Sequence, residues 1–391
     1  MKSQMFLALA VLLLTVGLVT VGLPPVHAGE QPAGSGYKVL EPIRHGSLTV
    51  FPVVAPKSYA TGDFLTLDEG LRSGGVVVTE YGNVRGLLRR QITPTVLHDR
   101  AEVNRLVLIN NSKHPLLLLA GEIVTGGKQD RVIGKDRIVP AESDPVDLSV
   151  FCVEPGRWVA TSNQFGASGT TYASGSGGGI GAGSAGGIAT SAGTLMAQPS
   201  VRAKAMGDKD QNQVWAEVRK QQQAMVTAEA STAAPRASTA EIQSTSSYAR
   251  VMENKDVKQK VDEIAAPIEH NYESLIKQLR DRKALGVVVA VNGRIIWADV
   301  FASTELLEKY WPKLVRSYAS EAVVTRAKGG EASLAQAEAF LGDMEGRRET
   351  IESEPGIYRH TEINGDGFKA FALTSLLPQT GFDVHVAKMA E

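Results

Sequence analysis

Hydrophobic positions along the chain change their period from region to region, and the period decides the element. Over residues 38–56, Leu48, Val50, Val53 and Val54 stand among small and turn residues, which predicts one or two short strands broken at Pro52 and Pro56. A strand is predicted at residues 76–79. Residues 103–124 hold two apolar runs, RLVLIN and LLLLAGEIV, joined by NSKHP, which predicts a buried β-hairpin. With further strands predicted at residues 131–133 and 148–153, residues 38–160 form a mainly β part.

The second half adds the helical period. A polar helical stretch is predicted over residues 201–225, and the Ala/Ser/Thr-rich tract 227–247 after it reads as a loose connection. Val257, Val261, Ile264, Ile268, Tyr272, Leu275, Ile276 and Leu279 then recur at three- and four-residue steps, one stripe of an amphipathic helix with a kink at Pro267. ALGVVVAV, the pair Asn292-Gly293 and RIIWADVF predict a hairpin, because Asn-Gly suits a type I′ turn. Ser303 or Thr304 caps a helix carrying Leu306, Leu307, Tyr310, Trp311, Leu314, Val315 and Tyr318, with Pro312 inside it. Another helix at residues 333–344 precedes strands near residues 347–352, 356–363, 368–374 and 382–387, with a turn at Asn364-Gly365.

Between the halves lies a composition that buries nothing. Residues 166–195 contain 11 glycines among Ser, Ala and Thr, too much backbone entropy for too little apolar surface. The expected fold class is therefore α+β: a mainly β N-terminal part (38–160) and a C-terminal α+β part with a largely antiparallel sheet, separated by a glycine-rich flexible insert (161–200). The C-terminal part divides into a helical and hairpin region (201–325) and a tail (330–391). Gly181, Gly183 and Gly186 match GxGxxG, but no strand precedes them, and a glycine-rich tract generates the pattern by chance.

The N-terminus predicts an address. Lys2, an apolar stretch over residues 5–21 and the sequence Val26-His27-Ala28 read as a cleavable signal peptide (1–28), so the chain is expected to be exported, to the periplasm or outside the cell. Retention as a membrane anchor is the competing reading, since the apolar run is near the minimum that spans a bilayer, but Pro24 and Pro25 end it. Cleavage would leave a net charge of about −2. Such a balance offers no basic face for nucleic acid and no means of holding an anionic membrane. Cys152 is the only cysteine, so no intramolecular disulfide can form, and its neighbours Val150, Phe151 and Val153 favour burial.

Candidate chemistry concentrates in two segments. The first is GEIVTGGKQDRVIGKD, residues 121–136. There Gly126 and Gly127 would let backbone N–H groups approach a ligand, and Lys128, Gln129, Asp130 and Arg131 offer donors and acceptors to a phosphate, carboxylate or sugar. The spacing is not that of a P-loop. Glu122, at the end of an apolar run, is either paired with a base such as Arg131 or tuned for chemistry. The second is FCVEPGRW, residues 151–158, where Glu154, Arg157 and Trp158 cluster at a Pro155-Gly156 turn. Arg157 could clamp an anion there and Trp158 stack on a ring, or Glu154 and Arg157 could form a structural pair. A cysteine hydrolase would need a base near Cys152, and His45, His98 and His114 lack diagnostic spacing. The histidines form no metal-ligating pair, and the sequence calls for neither metal nor cofactor.

GEIVTGGKQDRVIGKDRIVP with FCVEPGRW, and LGVVVAVNGRIIWADVFAS with KYWPKLVRSYASEA, resemble the ARPP family, the ADP-ribosylglycohydrolase and rhodanese-phosphatase associated protein domain of bacteria. The resemblance covers roughly residues 38–325. It implies association with enzymes that handle ADP-ribose or phosphoesters, and that the GGKQDR loop and the CVEPGRW turn meet in space.

Two functions from different classes follow. One is an exported, non-catalytic binding or scaffold domain whose loop holds a small polar or anionic ligand or a protein partner. The other is a hydrolase or transferase acting on an ADP-ribose-like or phosphoester substrate, with Glu122 or Asp130 as acid or base and Lys128, Arg131 and Arg157 stabilising negative charge. The exported protein is expected to begin at Gly29. N-terminal sequencing of material recovered outside the cytoplasm checks this, and a first residue of Met1 contradicts it.

Overall fold

The hairpin predicted at Asn292-Gly293 sits in the middle of a nine-stranded antiparallel sheet. The structure, a computed structural model, describes residues 36–80, 104–156, 162, 164–166, 195–230, 236–279, 281–325 and 329–391. The expected signal segment, most of the glycine-rich insert, Arg157 and Trp158 lie outside the described residues. Across the large sheet the strands run Lys38–Val39, Leu48–Ala55, Lys283–Val291, Arg294–Phe301, Asp383–Ala390, Phe368–Ser375, Tyr358–Gly365 and Arg347–Glu354, with Ile43–His45 also beside Leu48–Ala55. The N-terminal strand Leu48–Ala55 thus lies in the sheet of the C-terminal part, paired along its length with Lys283–Val291.

Pro52 does not break that strand, contrary to expectation. Its carbonyl accepts from Leu40 N–H at 2.8 Å, so its missing N–H faces the same side. That side falls between the pairings of the two short edge strands rather than toward Lys283–Val291. The turn expected at Asn364-Gly365 forms two residues later, because Gly365 pairs with Phe368 and leaves Asp366-Gly367 as the loop.

The mainly β part makes a second body. Strands Phe165–Gly166, Val76–Thr79, Arg105–Asn110, Val146–Cys152, Arg131–Ile133 and Glu122–Gly126 pair in that order, and Glu122–Gly126 pairs back to Phe165–Gly166, closing the ring. Leu106, Leu108, Val124, Ile133, Leu148, Val150 and Phe165 fill it. The hairpin expected over residues 103–124 does not form. Arg105–Asn110 pairs within the ring, whereas Leu116–Leu118 joins a separate three-stranded sheet with Arg137–Val139 and Leu65–Thr66. Both runs are apolar on every side, so alternation could not assign them to one layer. The Asn110 side chain, donating to His114 and Pro140 carbonyls at 2.9 Å, holds the chain where they part.

Helices fill the space between the two bodies. Lys255–Gln278 buries Val257, Val261, Ala265, Ile268 and Tyr272 on one stripe, with Pro267 inside it. Thr304–Val324 starts at Ser303, whose hydroxyl accepts from Leu306 N–H at 3.1 Å. The Tyr272 and Trp311 rings meet at 4.4 Å between these helices. The tract expected to be loose is helical in part: Gln211–Ala230 extends through its start and Arg236–Ser244 forms within it. Val218, Met225, Val226 and Ile242 are buried in the shared core, and that tertiary burial outweighs weak local propensity.

Where the ring meets the sheet, a chain of charges is wholly buried. Asp136 Oδ2 lies 2.6 Å from His385 Nδ1, and His385 Nε2 lies 3.1 Å from Asp299 Oδ1. Arg202 grips both oxygens of Asp299 at 2.8 and 2.9 Å, and Tyr318 donates to the same carboxylate. Arg202 also donates to the Ala120 carbonyl at 3.2 Å and stacks over Trp297 at 4.4 Å, while Asp136 accepts from Ala120 N–H at 2.7 Å. Gly121 leaves room for this: a Cβ there would lie 2.5 Å from Arg202 Cγ. Burial by itself would push the His385 imidazole down, but Asp136 and Asp299 outweigh it and push it up to about 9. His385 holds the Asp136 carboxyl below its ordinary range, and Arg202 together with His385 holds Asp299 there, both against the effect of burial. With His385 protonated, two carboxylates face two cations and the chain is neutral.

Because His385 titrates near 6.5 when unfolded and about 9 when folded, its contribution is complete below pH 6.5 and is lost as pH rises through 9. The loss amounts to roughly 3 kcal/mol. Thermal melts from pH 6 to 10 are expected to show this alkaline fall in the wild type, with His385→Gln melting lower throughout and lacking that component.

Candidate functional site

The segment 121–136 folds back against the ring, and its polar groups divide between two knots. Glu122 belongs to the first. It opens the strand Glu122–Gly126, fully buried. One carboxylate oxygen accepts from Leu119 N–H at 2.8 Å and the other from Lys313 Nζ at 2.5 Å. Lys313, on the helix Thr304–Val324, also reaches Asp68 at 2.9 Å. Burial opposes its charge, but Glu122 and Asp68 outweigh burial and hold the ammonium above its ordinary range. The base paired with Glu122 is thus Lys313, 191 residues away in sequence, and not Arg131.

The second knot brings together Gly126, Gly127, Lys128, Gln129, Asp130, Arg131 and Glu154. Its backbone donors point at the protein's own oxygens. Gly126 N–H reaches Asp130 Oδ1 at 3.1 Å, Gly127 N–H reaches Ser162 Oγ at 3.1 Å, and Lys128 N–H reaches Glu80 Oε1 at 3.0 Å. Asp130 N–H reaches Glu154 Oε2 at 3.1 Å, and Gln129 Nε2 donates to the Glu154 carbonyl at 3.0 Å. Ser247 donates to Asp130 Oδ2 at 2.6 Å, tying the loop to the helix Tyr248–Glu253 that it caps. Arg131 is fully buried with its guanidinium 3.9 Å from Glu80. At Gly127 the backbone has φ +50°, and a Cβ would lie 2.2 Å from the Phe165 ring. The glycine therefore serves close packing inside the ring. Buried carboxylates need donors, and here the loop's amides supply them.

Cys152 is buried beside this knot, and burial pushes its thiol up. Its backbone N–H and C=O are taken by the Gln211 amide at 2.8 and 2.9 Å. Two of the histidines considered as its base stand elsewhere: His45 is exposed on an edge strand, and His114 is exposed in the turn after Asn110. His98 lies outside the described residues.

Sequence reasoning missed a cleft of about 310 Å³ between the ring and the large sheet. Its walls include Lys135, Ser149, Phe151, Lys209, Glu352 and His360. They come from four stretches up to 225 residues apart in sequence, so no local motif marks them. The one available signal was polar: Lys135 falls inside the segment 121–136, and His360 interrupts a strand otherwise read as sheet.

Asp130→Ala would free the Gly126 amide and the Ser247 hydroxyl inside the protein. It is expected to lower stability by about 1–3 kcal/mol in chemical denaturation. Lys128→Ala, which leaves the backbone amide in place, is expected to change stability by less than about 0.5 kcal/mol.

Residues 36–388 match the family described as the ARG and Rhodanese-Phosphatase-superfamily-associated Protein domain, ARPP-1. The match extends past the 38–325 expected from the sequence blocks and takes in the tail, whose four strands complete the large sheet. No curated protein and no solved structure matches the chain. Nearly the whole chain is therefore one ARPP-1 domain, and the protein belongs to that family.

Proposed function

We propose that this chain is an exported, non-catalytic binding or scaffold domain for a small polar ligand or a partner segment. The observation that carries the reading is the use made of the acids. Glu122 is spent on Leu119 N–H and Lys313, and Asp130 on Gly126 N–H and the Ser247 hydroxyl. Glu154 is spent on Asp130 N–H. A general acid or base has to reach a substrate proton at hydrogen-bond distance, and these carboxylates reach backbone amides and buried side chains. Lys128, Arg131 and Glu154 serve the loop in this reading, which presents a rigid surface rather than a reacting centre. Export rests on the N-terminal pattern of Lys2, the apolar stretch and Val26-His27-Ala28.

The family's association with ADP-ribosylglycohydrolase and rhodanese-phosphatase superfamilies supplies the competing hydrolase or transferase, and one experiment separates the two. Mature protein is screened by thermal shift against nucleotides, sugars and phosphates, and every hit is assayed for turnover. A ligand present at 100 times its Kd stabilises by about 2.7 kcal/mol. The expected result is a shifted melt with no product formed. Turnover of an ADP-ribose-like ester or phosphoester, lost in a folded Asp130→Asn or Glu122→Gln variant, would overturn the non-catalytic reading.

A further inference from the structure

The cleft between the ring and the large sheet has one group that the fold leaves unsatisfied. His360 is 1% exposed, and neither ring nitrogen has a hydrogen-bond partner among the described residues. Buried polar atoms are nearly always paired, so a desolvated imidazole lining a cavity marks where a partner belongs. Burial, the largest influence on it, pushes this imidazole below its usual range. At neutral pH it therefore offers one N–H donor and one nitrogen acceptor. A single water, whose share of liquid volume is about 30 Å³, would occupy only a fraction of the 310 Å³ available.

The remaining walls define the chemistry. Lys135 is paired with Glu352, whose other oxygen accepts from the Tyr358 hydroxyl, and Lys209 is paired with Glu362 at 2.7 Å. The two cations of the cleft are thus matched by two carboxylates, and no excess charge remains to favour an ion. Phe151, Met206, Ile351 and Phe371 supply the apolar part of the lining. Met206 comes from a π-helical turn, Lys204–Asp208, an irregularity often found at functional sites. The lining thus sets aromatic and apolar side chains beside a neutral donor–acceptor pair, as in the 6.0 Å stack of His360 on Phe371, and the volume is near the lower end of ligand pockets.

We infer that this cleft is a binding site for a small uncharged polyhydroxylated ring, a neutral monosaccharide, with His360 as the residue that orients it. Sugar hydroxyls both donate and accept, as the two imidazole nitrogens require, and a sugar's C–H face packs on an apolar wall. The inference rests on the binding reading above and adds the site and the ligand class. His360 shares Phe371's side of the sheet, with ring centroids 6.0 Å apart, so replacing the imidazole by another ring keeps the packing and removes the polar atoms.

Isothermal titration calorimetry of the mature chain with D-glucose, D-galactose and D-ribose, and with glucose 6-phosphate as the charged comparison, tests this. At least one neutral sugar is expected to bind 1:1, with glucose 6-phosphate at least ten-fold weaker. His360→Phe is expected to weaken binding at least ten-fold. Ser149→Trp, a change at an exposed rim position, is expected to do the same by filling the mouth, and it carries the test if His360→Phe fails to fold. Absence of binding by all three neutral sugars overturns the inference, as does binding that a folded Ser149→Trp leaves unchanged. If a charged or different compound from the thermal-shift screen binds instead, the sugar assignment falls while the binding reading stands. If no compound binds at all, both fall.

Discussion

The buried charge chain Asp136–His385–Asp299–Arg202 is the constraint on which the arrangement of this protein depends. Ion pairs taken out of water are seldom a net source of stability, because desolvation offsets most of the attraction. Their effect is on geometry: a misplaced partner leaves an uncompensated charge in the interior, at a cost of several kcal/mol. Here the four groups come from four places. Asp136 follows the ring strand Arg131–Ile133, Arg202 lies on the short helix Pro199–Ala203, and Asp299 and His385 lie on adjacent strands of the large sheet. Only one placement of ring against sheet satisfies all four. Apolar packing across the same boundary would tolerate sliding, whereas bidentate contact and hydrogen bonds from both imidazole nitrogens do not.

The cleft inherits this precision. Lys135 is the neighbour of Asp136. Ala205 and Met206 follow Arg202 by one helical turn. His360 is paired with Leu373, which is paired in turn with His385, so the two histidines flank one leucine in a single row of the sheet. Lys135, Met206 and His360 thus each lie close, along the chain or across the sheet, to a member of the charge chain. The candidate loop 126–131 is fixed by different means, its amides being bound to Asp130, Glu80 and Glu154. Both devices produce rigidity, one between the bodies and the other within the ring.

Local pattern carried much of the fold. The Asn292-Gly293 hairpin, the stripe from Val257 to Tyr272, the Ser303 cap and the four closing strands were legible because each depends on neighbours a few residues apart. Pairing across the chain was not. Nothing in LTVFPVVA tells that it joins Lys283–Val291, a partner more than 200 residues away. The apolar runs RLVLIN and LLLL have no alternation, so their separation into two sheets left no trace in the pattern. For the site, the sequence drew attention to acids and glycines in one segment, and hydrogen bonds from Gln129 and Asp130 do join that loop to Glu154. The sequence could not show that Glu122 turns to Lys313, or that the backbone N–H groups of Gly126, Gly127, Lys128 and Asp130 are already taken. His385, Arg202 and His360 were invisible for one shared reason: a single polar residue in an apolar or weakly patterned stretch acquires meaning only from what folds against it.

The central claim is that the charges at the boundary act as one chain. A double-mutant cycle between its ends, Asp136→Asn and Arg202→Met, tests that most directly, with stability read by chemical denaturation at pH 7. Coupled groups in one network typically show interaction energies of about 0.5–3 kcal/mol, and independent sites add to within about 0.5 kcal/mol. The account predicts a coupling of at least about 1 kcal/mol between these two positions. Additivity would mean that Asp136 and Arg202 stabilise their own surroundings separately, and would contradict it.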